Sequence, residues 1–140
     1  MQIALAMENH CARRSVWHIE WCTKYRYKMM QKQENRKIVE ACIRQAAKRH
    51  NIEILALEVM PEHVHGIFSL PKGTDEERAV KLLKGFSAWK IFQVKEHFRL
   101  RYPKGHFWGR GYMARTVGLD EEKAIWYVEH QQEHHDVTFS

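Results

Sequence analysis

The sequence predicts an α+β fold in which an antiparallel sheet of the ferredoxin-like or RRM-like type carries helices packed on it. Hydrophobic periodicity changes along the chain in the order strand, helix, strand, strand, helix, strand, helix (βαββαβα). The chain has 140 residues, of which 44% are hydrophobic and 29% charged, a size and composition that fit one globular domain. We therefore expect a single domain over residues 1–140, with a loose arm at 1–14 and a C-terminal helix that carries Tyr127.

The first half of the chain predicts a strand, a helix and a hairpin. The stretch "SVWHIEWCTKYR" alternates, so one set of side chains faces one side of a strand and a second set faces the other: Trp17, Ile19 and Trp21 against His18, Glu20 and Cys22. The stretch "QENRKIVEACIRQAAKRH" has helical spacing, and Asn51 follows where a helix end is expected. "NIEILALEVM" and "HVHGIFSL" flank Pro61 and predict a pair of hairpin strands.

The second half predicts a helix, a loop, a strand and a last helix. Thr74 and Glu77 have the spacing of a capping box, which places Thr74 at the N-cap of the helix. Gly85 within "KGFSAW" predicts a bend or break in that helix. Residues 100–111 read as a loop and "YMARTVG" as a fourth strand. Three acidic residues at 120–122 predict the start of the last helix, because negative charge is favourable at a helix N-terminus.

Several features indicate a cytoplasmic protein. No apolar run approaches the ~20 residues needed to cross a bilayer, and the N-terminus lacks a secretory signal. Cys11, Cys22 and Cys42 are odd in number and have no CxxC spacing, which is typical of reduced thiols.

Positive charge is concentrated between residues 81 and 115, a segment that contains nine lysines and arginines and a single acidic residue, Glu96. Aromatic residues are interleaved with these cations, a combination that suits a nucleic acid, since cations bind phosphates and flat rings stack on unpaired bases. The candidate phosphate contacts are Lys84, Lys90, Arg110 and Arg115, and the candidate stacking residues are Trp89, Phe107 and Trp108. The alternative is a solvated basic face on a helix whose aromatic residues pack in the core.

The stretch "EHVHGIFSLP" places His63 and His65 on one face of a strand, because residues two apart point the same way. Two imidazoles on one face can share a divalent cation, although a metal needs further ligands. Glu62 is a candidate to orient one of them, and the favoured alternative is an exposed residue of the turn. The alternative is a chance pair of surface or hydrogen-bonded histidines in a chain that contains ten.

The last helix supplies a possible complement to the histidines. Tyr127 and Gln131 are four residues apart and therefore share a helical face. A tyrosine hydroxyl can attack a phosphodiester if another group stabilises the developing charge. The amide oxygen of Gln131 would suit a hard cation such as Mg²⁺ or Mn²⁺. The alternative is that Tyr127, beside Trp126 and Val128, serves only in packing.

The order "EHVHGIFSLP", "YMARTVG" and "YVEHQ" resembles the small single-tyrosine HUH transposases of bacterial and archaeal insertion sequences, the TnpA-like family. The resemblance runs from the "WHIEWCTKYR" strand to "YVEHQ", and Val64 fills the hydrophobic position between the histidines. It implies that His63, His65 and Gln131 bind the metal and that Tyr127 is the nucleophile. It also implies a homodimer that cleaves and rejoins single-stranded DNA near hairpins through a 5′-phosphotyrosine, often with the tyrosine helix of one subunit at the histidines of the other.

Two other functions remain open from the sequence. A domesticated relative would cleave repeated hairpins without moving an element. A non-catalytic nucleic-acid-binding module with an RRM-like sheet is also compatible with the predicted fold. The first strand lacks a "GFGFV"-type string, which disfavours this second alternative.

Overall fold

The computed structural model describes residues 14–118 and 121–130. Within them the elements follow the predicted order: β1 (Ser15–Cys22), α1 (Gln33–Arg49), β2 (Glu53–Val59), β3 (His63–Leu70), α2 (Glu76–Val94), β4 (Met113–Thr116) and α3 (Glu121–Glu129). Short 3-10 turns at Lys24–Arg26 and Glu96–Leu100 follow β1 and α2. The predicted arm at 1–14 lies outside the described residues except for its last residue.

The four strands form one antiparallel sheet in the order β2-β3-β1-β4. The two central strands, β1 and β3, pair along their full lengths, from Ser15 opposite Leu70 to Cys22 opposite His63. Because β1 and β3 both alternate apolar with polar residues, this register places the apolar sets together on one face. The α+β class and the antiparallel sheet predicted from the sequence are confirmed.

One face of the sheet packs on α1 and α2 and forms the main core. Ile19 and Trp21 of β1 are buried there with Val64 and Phe68 of β3. The opposite face, which we call the histidine face, carries His18, Glu20, His63 and His65. Helix α3 covers part of this second face through Val128, which packs with Val16, Ala56 and Ile67. The sheet thus separates a hydrophobic core from the layer that contains Tyr127.

Two local predictions about α2 were wrong. The N-cap is Asp75, whose carboxylate accepts a hydrogen bond from the Arg78 backbone N–H at 2.8 Å, and not Thr74. The helix is also continuous from Glu76 to Val94 without a break at Gly85. An added Cβ at Gly85 would meet no atom within 4 Å, so this glycine serves no close approach. Packing of the buried face over 19 residues outweighs the weak helix propensity of one glycine.

The loop between α2 and β4 is held tightly against the end of β1. The backbone N–H of Gly109 donates to the Cys22 carbonyl at 2.9 Å, and that of Lys24 donates to the Phe107 carbonyl at 2.9 Å. The indole N–H of Trp108 donates to Ser87 of α2 at 2.9 Å. This segment, predicted as an ordinary loop, therefore contributes core residues and fixes the chain next to the histidine face. No helix in the described ranges is long and apolar enough to span a bilayer.

Candidate active site

The two histidines of "HVH" lie on the histidine face, as the alternation of β3 predicts. Glu20 of β1 stands directly opposite His65, and Cys22 stands opposite His63. The His63 and His65 rings have centroids 5.9 Å apart. His63 is partly buried, whereas His65 is only 1% exposed. Neighbouring strands therefore bring two imidazoles and one carboxylate together on the same side of the sheet.

Glu62 makes a direct hydrogen bond to the ring of His63. The Nδ1 atom of His63 donates a hydrogen bond to the Glu62 carboxylate at 2.7 Å. Burial alone would raise the pKa of Glu62, but the hydrogen bond and the charge interaction with His63 hold it below its usual value. The carboxylate is thus stabilised in its ionised form, in which it accepts the histidine proton. The placement agrees with the orienting role predicted for Glu62, and that role stays a prediction.

On its other side, His63 faces Glu20. The Nε2 atom of His63 lies 3.6 Å from a Glu20 carboxylate oxygen. With the proton on Nδ1, the Nε2 lone pair and this carboxylate are two electron-rich groups directed at the same space. A cation between them would interact favourably with both, so this arrangement fits a divalent metal.

His65 is oriented by a third histidine. Its Nδ1 atom lies 3.3 Å from Nε2 of His18, and the ring that carries the proton donates to the other. Burial lowers the pKa of His18, and the positive charge of Arg115 lowers it further. His18 therefore favours its neutral form, in which it can act as either donor or acceptor toward His65.

Tyr127 of α3 reaches the same place. One depression on the histidine face is lined by His18, Glu20, His65, Arg115 and Tyr127. Tyr127 is 43% exposed. Tyr127 and His65, which are far apart in sequence, therefore line one depression within a single chain.

The remaining metal-ligand candidate, Gln131, lies outside the described residues. Within 14–118 and 121–130, no group of three or more His, Cys, Asp or Glu side chains is arranged to hold a metal ion. The described residues therefore supply two oriented imidazoles with a nearby carboxylate, a partial set of ligands. Mg²⁺ and Mn²⁺ prefer oxygen donors, which Glu20 and the amide of Gln131 both possess.

The candidate cations for phosphate binding are spread over different surfaces. Arg115 is exposed on β4 opposite His18, at the depression with Tyr127. Arg110 is exposed in the loop before β4. Lys90 lies on α2 close enough to Cys42 of α1 to lower the pKa of that thiol, which burial raises. Only Arg115 of these three is shown at the candidate site, and all three assignments stay predictions.

Lys84 has a structural role that the sequence did not indicate. Its ammonium donates to the Gly109 carbonyl at 2.5 Å and to the Gly111 carbonyl at 3.3 Å. Burial lowers its pKa, a consequence of the partial removal of the ammonium from water. Lys84 therefore ties the loop to α2, and its ammonium already donates two hydrogen bonds within the protein.

Of the three aromatic residues predicted to stack on DNA bases, two are buried and one is exposed. Phe107 is fully buried and Trp108 is 6% exposed, with its indole N–H bonded to Ser87. Neither ring has a free face for a base, so their assignment to DNA stacking is corrected to core packing. Trp89 of α2, the third stacking candidate, is 54% exposed. Tertiary packing turns Phe107 and Trp108 inward, which residue type alone does not indicate.

His18 and Glu20 are two site residues that the sequence reasoning did not single out. The signal was present, because the alternation of β1 placed both on the face opposite Trp17 and Ile19. What was missing was the pairing of β1 with β3, which sets Glu20 opposite His65. The sequence of β3 alone gives no indication of the residues that β1, its neighbour in the sheet, places beside the histidines.

Comparison with known proteins agrees with this fold and site. The family described as "Transposase IS200 like" matches residues 11–131. The chain belongs to this family of IS200-like transposases.

Individual relatives support the same assignment. The transposase for insertion sequence element IS200 from Salmonella typhimurium strain LT2 is 29% identical over 117 residues, covering 84% of this chain and 76% of the relative. The ISDra2 transposase TnpA from Deinococcus radiodurans is 30% identical over 118 residues, covering 84% of each chain.

Two solved structures have a similar fold. One, described as a transposase from Deinococcus radiodurans R1, has a TM-score of 0.68 at 30% identity and covers 84% of this chain and 91% of its own. The other is a REP-associated tyrosine transposase bound to a REP hairpin, with a TM-score of 0.60 at 18% identity, covering 88% of this chain and 69% of its own.

Proposed function

We propose that this protein is a metal-dependent transposase that cleaves and rejoins single-stranded DNA with Tyr127 as its nucleophile. The observation that carries the proposal is the depression lined by both Tyr127 and His65. It combines a hydroxyl able to attack phosphorus with an imidazole able to bind a metal. Family membership supports the transposase function, and the residues on the histidine face support this chemistry for it.

The proposed reaction is an exchange of phosphate esters. The Tyr127 hydroxyl oxygen attacks the phosphorus atom and loses its proton, so that a bond from tyrosine oxygen to phosphorus forms. The bond from phosphorus to the 3′ oxygen breaks, and that oxygen leaves with the bonding electron pair and takes up a proton. The products are a 5′-phosphotyrosine and a free 3′-hydroxyl. A 3′-hydroxyl can later attack a phosphotyrosine in the reverse sense, so rejoining needs no ATP.

His63, His65 and Gln131 are the proposed metal ligands. When bound, Mg²⁺ or Mn²⁺ would polarise the phosphate oxygens and stabilise the negative charge of the transition state. Glu62 holds His63 through its Nδ1–H, and His18 contacts Nδ1 of His65. Both contacts limit rotation of the imidazoles, which favours a fixed ligand geometry.

Arg115 is the proposed contact to the reacting phosphate from this chain. Its guanidinium carries a permanent positive charge and can donate two parallel hydrogen bonds to phosphate oxygens. It lies in the same depression as Tyr127. This position would allow it to hold the phosphate while the tyrosine attacks.

We further propose that the DNA partner contains a hairpin next to the cleaved strand. The REP-associated tyrosine transposase with the same fold is bound to a hairpin, and the excess of positive charge between residues 81 and 115 favours a polyanionic partner. A homodimer follows from the resemblance to single-tyrosine transposases. Within one chain, Tyr127 lines the same depression as His65.

The direct test uses single-stranded oligonucleotides from the DNA that flanks the gene. The protein is incubated with them in the presence and absence of Mn²⁺, and adducts are separated under denaturing conditions. A metal-dependent covalent adduct supports the proposed enzyme. Tight binding without an adduct would instead favour a non-catalytic nucleic-acid-binding module.

A further inference from the structure

A strained turn follows β1 directly. Tyr25 has φ 62° and ψ 10°, and Arg26 has φ 54°. Both angles lie in the left-handed region, which is unfavourable for residues with a bulky side chain. Two successive non-glycine residues in this conformation persist only if the surrounding structure imposes it.

Hydrogen bonds from several segments impose the turn. The Thr23 backbone N–H donates to the Glu62 carbonyl at 2.9 Å, and the Thr23 hydroxyl donates to the Tyr27 carbonyl at 2.7 Å. The Tyr102 hydroxyl donates to the Lys24 carbonyl at 2.8 Å. Together with the bond from Lys24 to Phe107 described above, these contacts hold the turn rigidly in place.

The turn presents an aromatic ring to solvent. The Tyr25 side chain is 66% exposed, although tyrosine rings usually lose most of their surface on folding. Its ring lies beside Tyr27 and Tyr102, with centroid distances of 5.4 Å and 6.4 Å. The Lys24 ammonium lies 5.3 Å from the Tyr25 ring centroid. An exposed ring next to a cation, held on a rigid backbone, is suited to stacking on a flat ligand that carries negative charge.

Arg26, the second residue of the turn, lies at the candidate active site. It lines a second depression together with Glu20 and His63. Its charge also acts on Glu62, the residue bonded to His63. The turn and the histidines are further connected by Glu62 itself, whose carbonyl accepts from Thr23 while its carboxylate accepts from His63. The position of Tyr25 is therefore fixed relative to the histidine face.

We propose that the turn formed by Tyr25 and Arg26 binds one unpaired nucleotide of the DNA strand that enters the active site. Tyr25 stacks on the base, and Arg26 contacts the adjoining phosphate beside His63. This inference rests on the proposed action on single-stranded DNA. An unpaired nucleotide fits better than a duplex, because bases within a duplex are already stacked on each other.

The test compares Tyr25→Asn with Tyr25→Phe. Asparagine tolerates left-handed backbone angles, so Tyr25→Asn keeps the turn and removes the ring. Tyr25→Phe is the matched control that keeps the ring and removes only the hydroxyl. Each protein is titrated with a DNA hairpin from the gene flank that carries single-stranded tails and with the same hairpin without tails. The fluorescent base 2-aminopurine replaces one tail base at a time to report stacking.

We expect Tyr25→Asn to bind the tailed hairpin about tenfold more weakly than the unchanged protein, as expected for loss of one base stack. Tyr25→Phe should bind both DNAs as the unchanged protein does, and Tyr25→Asn should bind the tailless hairpin normally. At one tail position, quenching of 2-aminopurine should occur with the unchanged protein and Tyr25→Phe only. Equal affinity of Tyr25→Asn for the tailed hairpin, or equal loss on both hairpins, would overturn the inference. So would failure of the unchanged protein to bind single-stranded tails.

A parallel adduct assay separates this inference from the proposed function. If the unchanged protein forms the Tyr127 adduct while Tyr25→Asn binds the tailed DNA normally, the stacking site is wrong and the function stands. If tail binding depends on Tyr25 but no adduct forms with Mn²⁺, the stacking site stands and the proposed cleavage is wrong.

Discussion

The Nδ1 atom of His63 donates a 2.7 Å hydrogen bond to the carboxylate of Glu62, its neighbour in sequence. Adjacent residues on an extended strand point to opposite sides, but Glu62 precedes the first residue of β3. Its side chain is therefore not bound by strand alternation and can turn back onto the imidazole. The start of β3 thus provides both His63, the proposed metal ligand, and Glu62, the group proposed to orient it.

Replacement of Glu62 by glutamine should weaken the proposed metal site without unfolding the protein. The amide keeps the size of the side chain but removes its negative charge, so it holds the His63 proton less strongly. We expect the Mn²⁺ concentration needed for half-maximal cleavage to rise about 10- to 100-fold. Glu96→Gln is a matched control, since Glu96 is exposed in the turn after α2. An unchanged metal requirement in Glu62→Gln would contradict the orienting role.

Replacement of either proposed histidine ligand should abolish metal-dependent cleavage. His63→Ala removes a partly buried side chain. His65 is almost fully buried, so His65→Leu is preferable to alanine because it leaves a smaller cavity and carries no metal-binding atom. Circular dichroism and thermal denaturation would verify that both variants fold, and exposed His106→Ala serves as control. Full cleavage by both folded variants would exclude the metal assignment.

Arg115 should contribute more to DNA binding than Lys90, although both belong to the same basic stretch. Arg115 lines the depression with Tyr127, and Lys90 lies on α2 next to α1. Each phosphate contact contributes about 0.7–0.9 to the slope of the logarithm of the DNA-binding constant against the logarithm of salt concentration, so its loss makes that slope shallower by this amount. We expect this decrease in Arg115→Ala and a smaller decrease in Lys90→Ala. Equal salt dependence in both variants would argue against Arg115 as a phosphate contact.

Substitution of Lys84 or Trp108 should lower the free energy of unfolding. Lys84→Met leaves the Gly109 and Gly111 carbonyls without their donor, a loss of about 1–3 kcal/mol in the free energy of unfolding. Trp108→Ala removes a core side chain and should cost about 3–5 kcal/mol. Urea denaturation measures both, with exposed Trp89→Ala as the control for a lost tryptophan. An unchanged midpoint in Trp108→Ala would contradict its place in the core.

Hydrophobic periodicity and helix-start signals were enough to predict the order of elements, and alternation along β3 predicted the shared face of His63 and His65. Alternation along β1 also separated Ile19 and Trp21 from His18 and Glu20. Contacts between strands were not predictable in this way, so the positions of Glu20 opposite His65 and of His18 against the same ring came only from the structure. The loop before β4 shows a second limit, because its aromatic residues are buried by tertiary contacts that have no periodicity in the sequence.

Covalent attachment to DNA tests the central claim most directly. The protein and its Tyr127→Phe variant are incubated with Mn²⁺ and a single-stranded oligonucleotide that contains the hairpin and its flank, and the linked peptide is identified by mass spectrometry. We predict an adduct on Tyr127 in the unchanged protein, and in the variant no adduct but normal DNA binding. An adduct that persists in Tyr127→Phe, on Tyr112 or Tyr25 for example, would contradict the assignment of Tyr127 as the nucleophile.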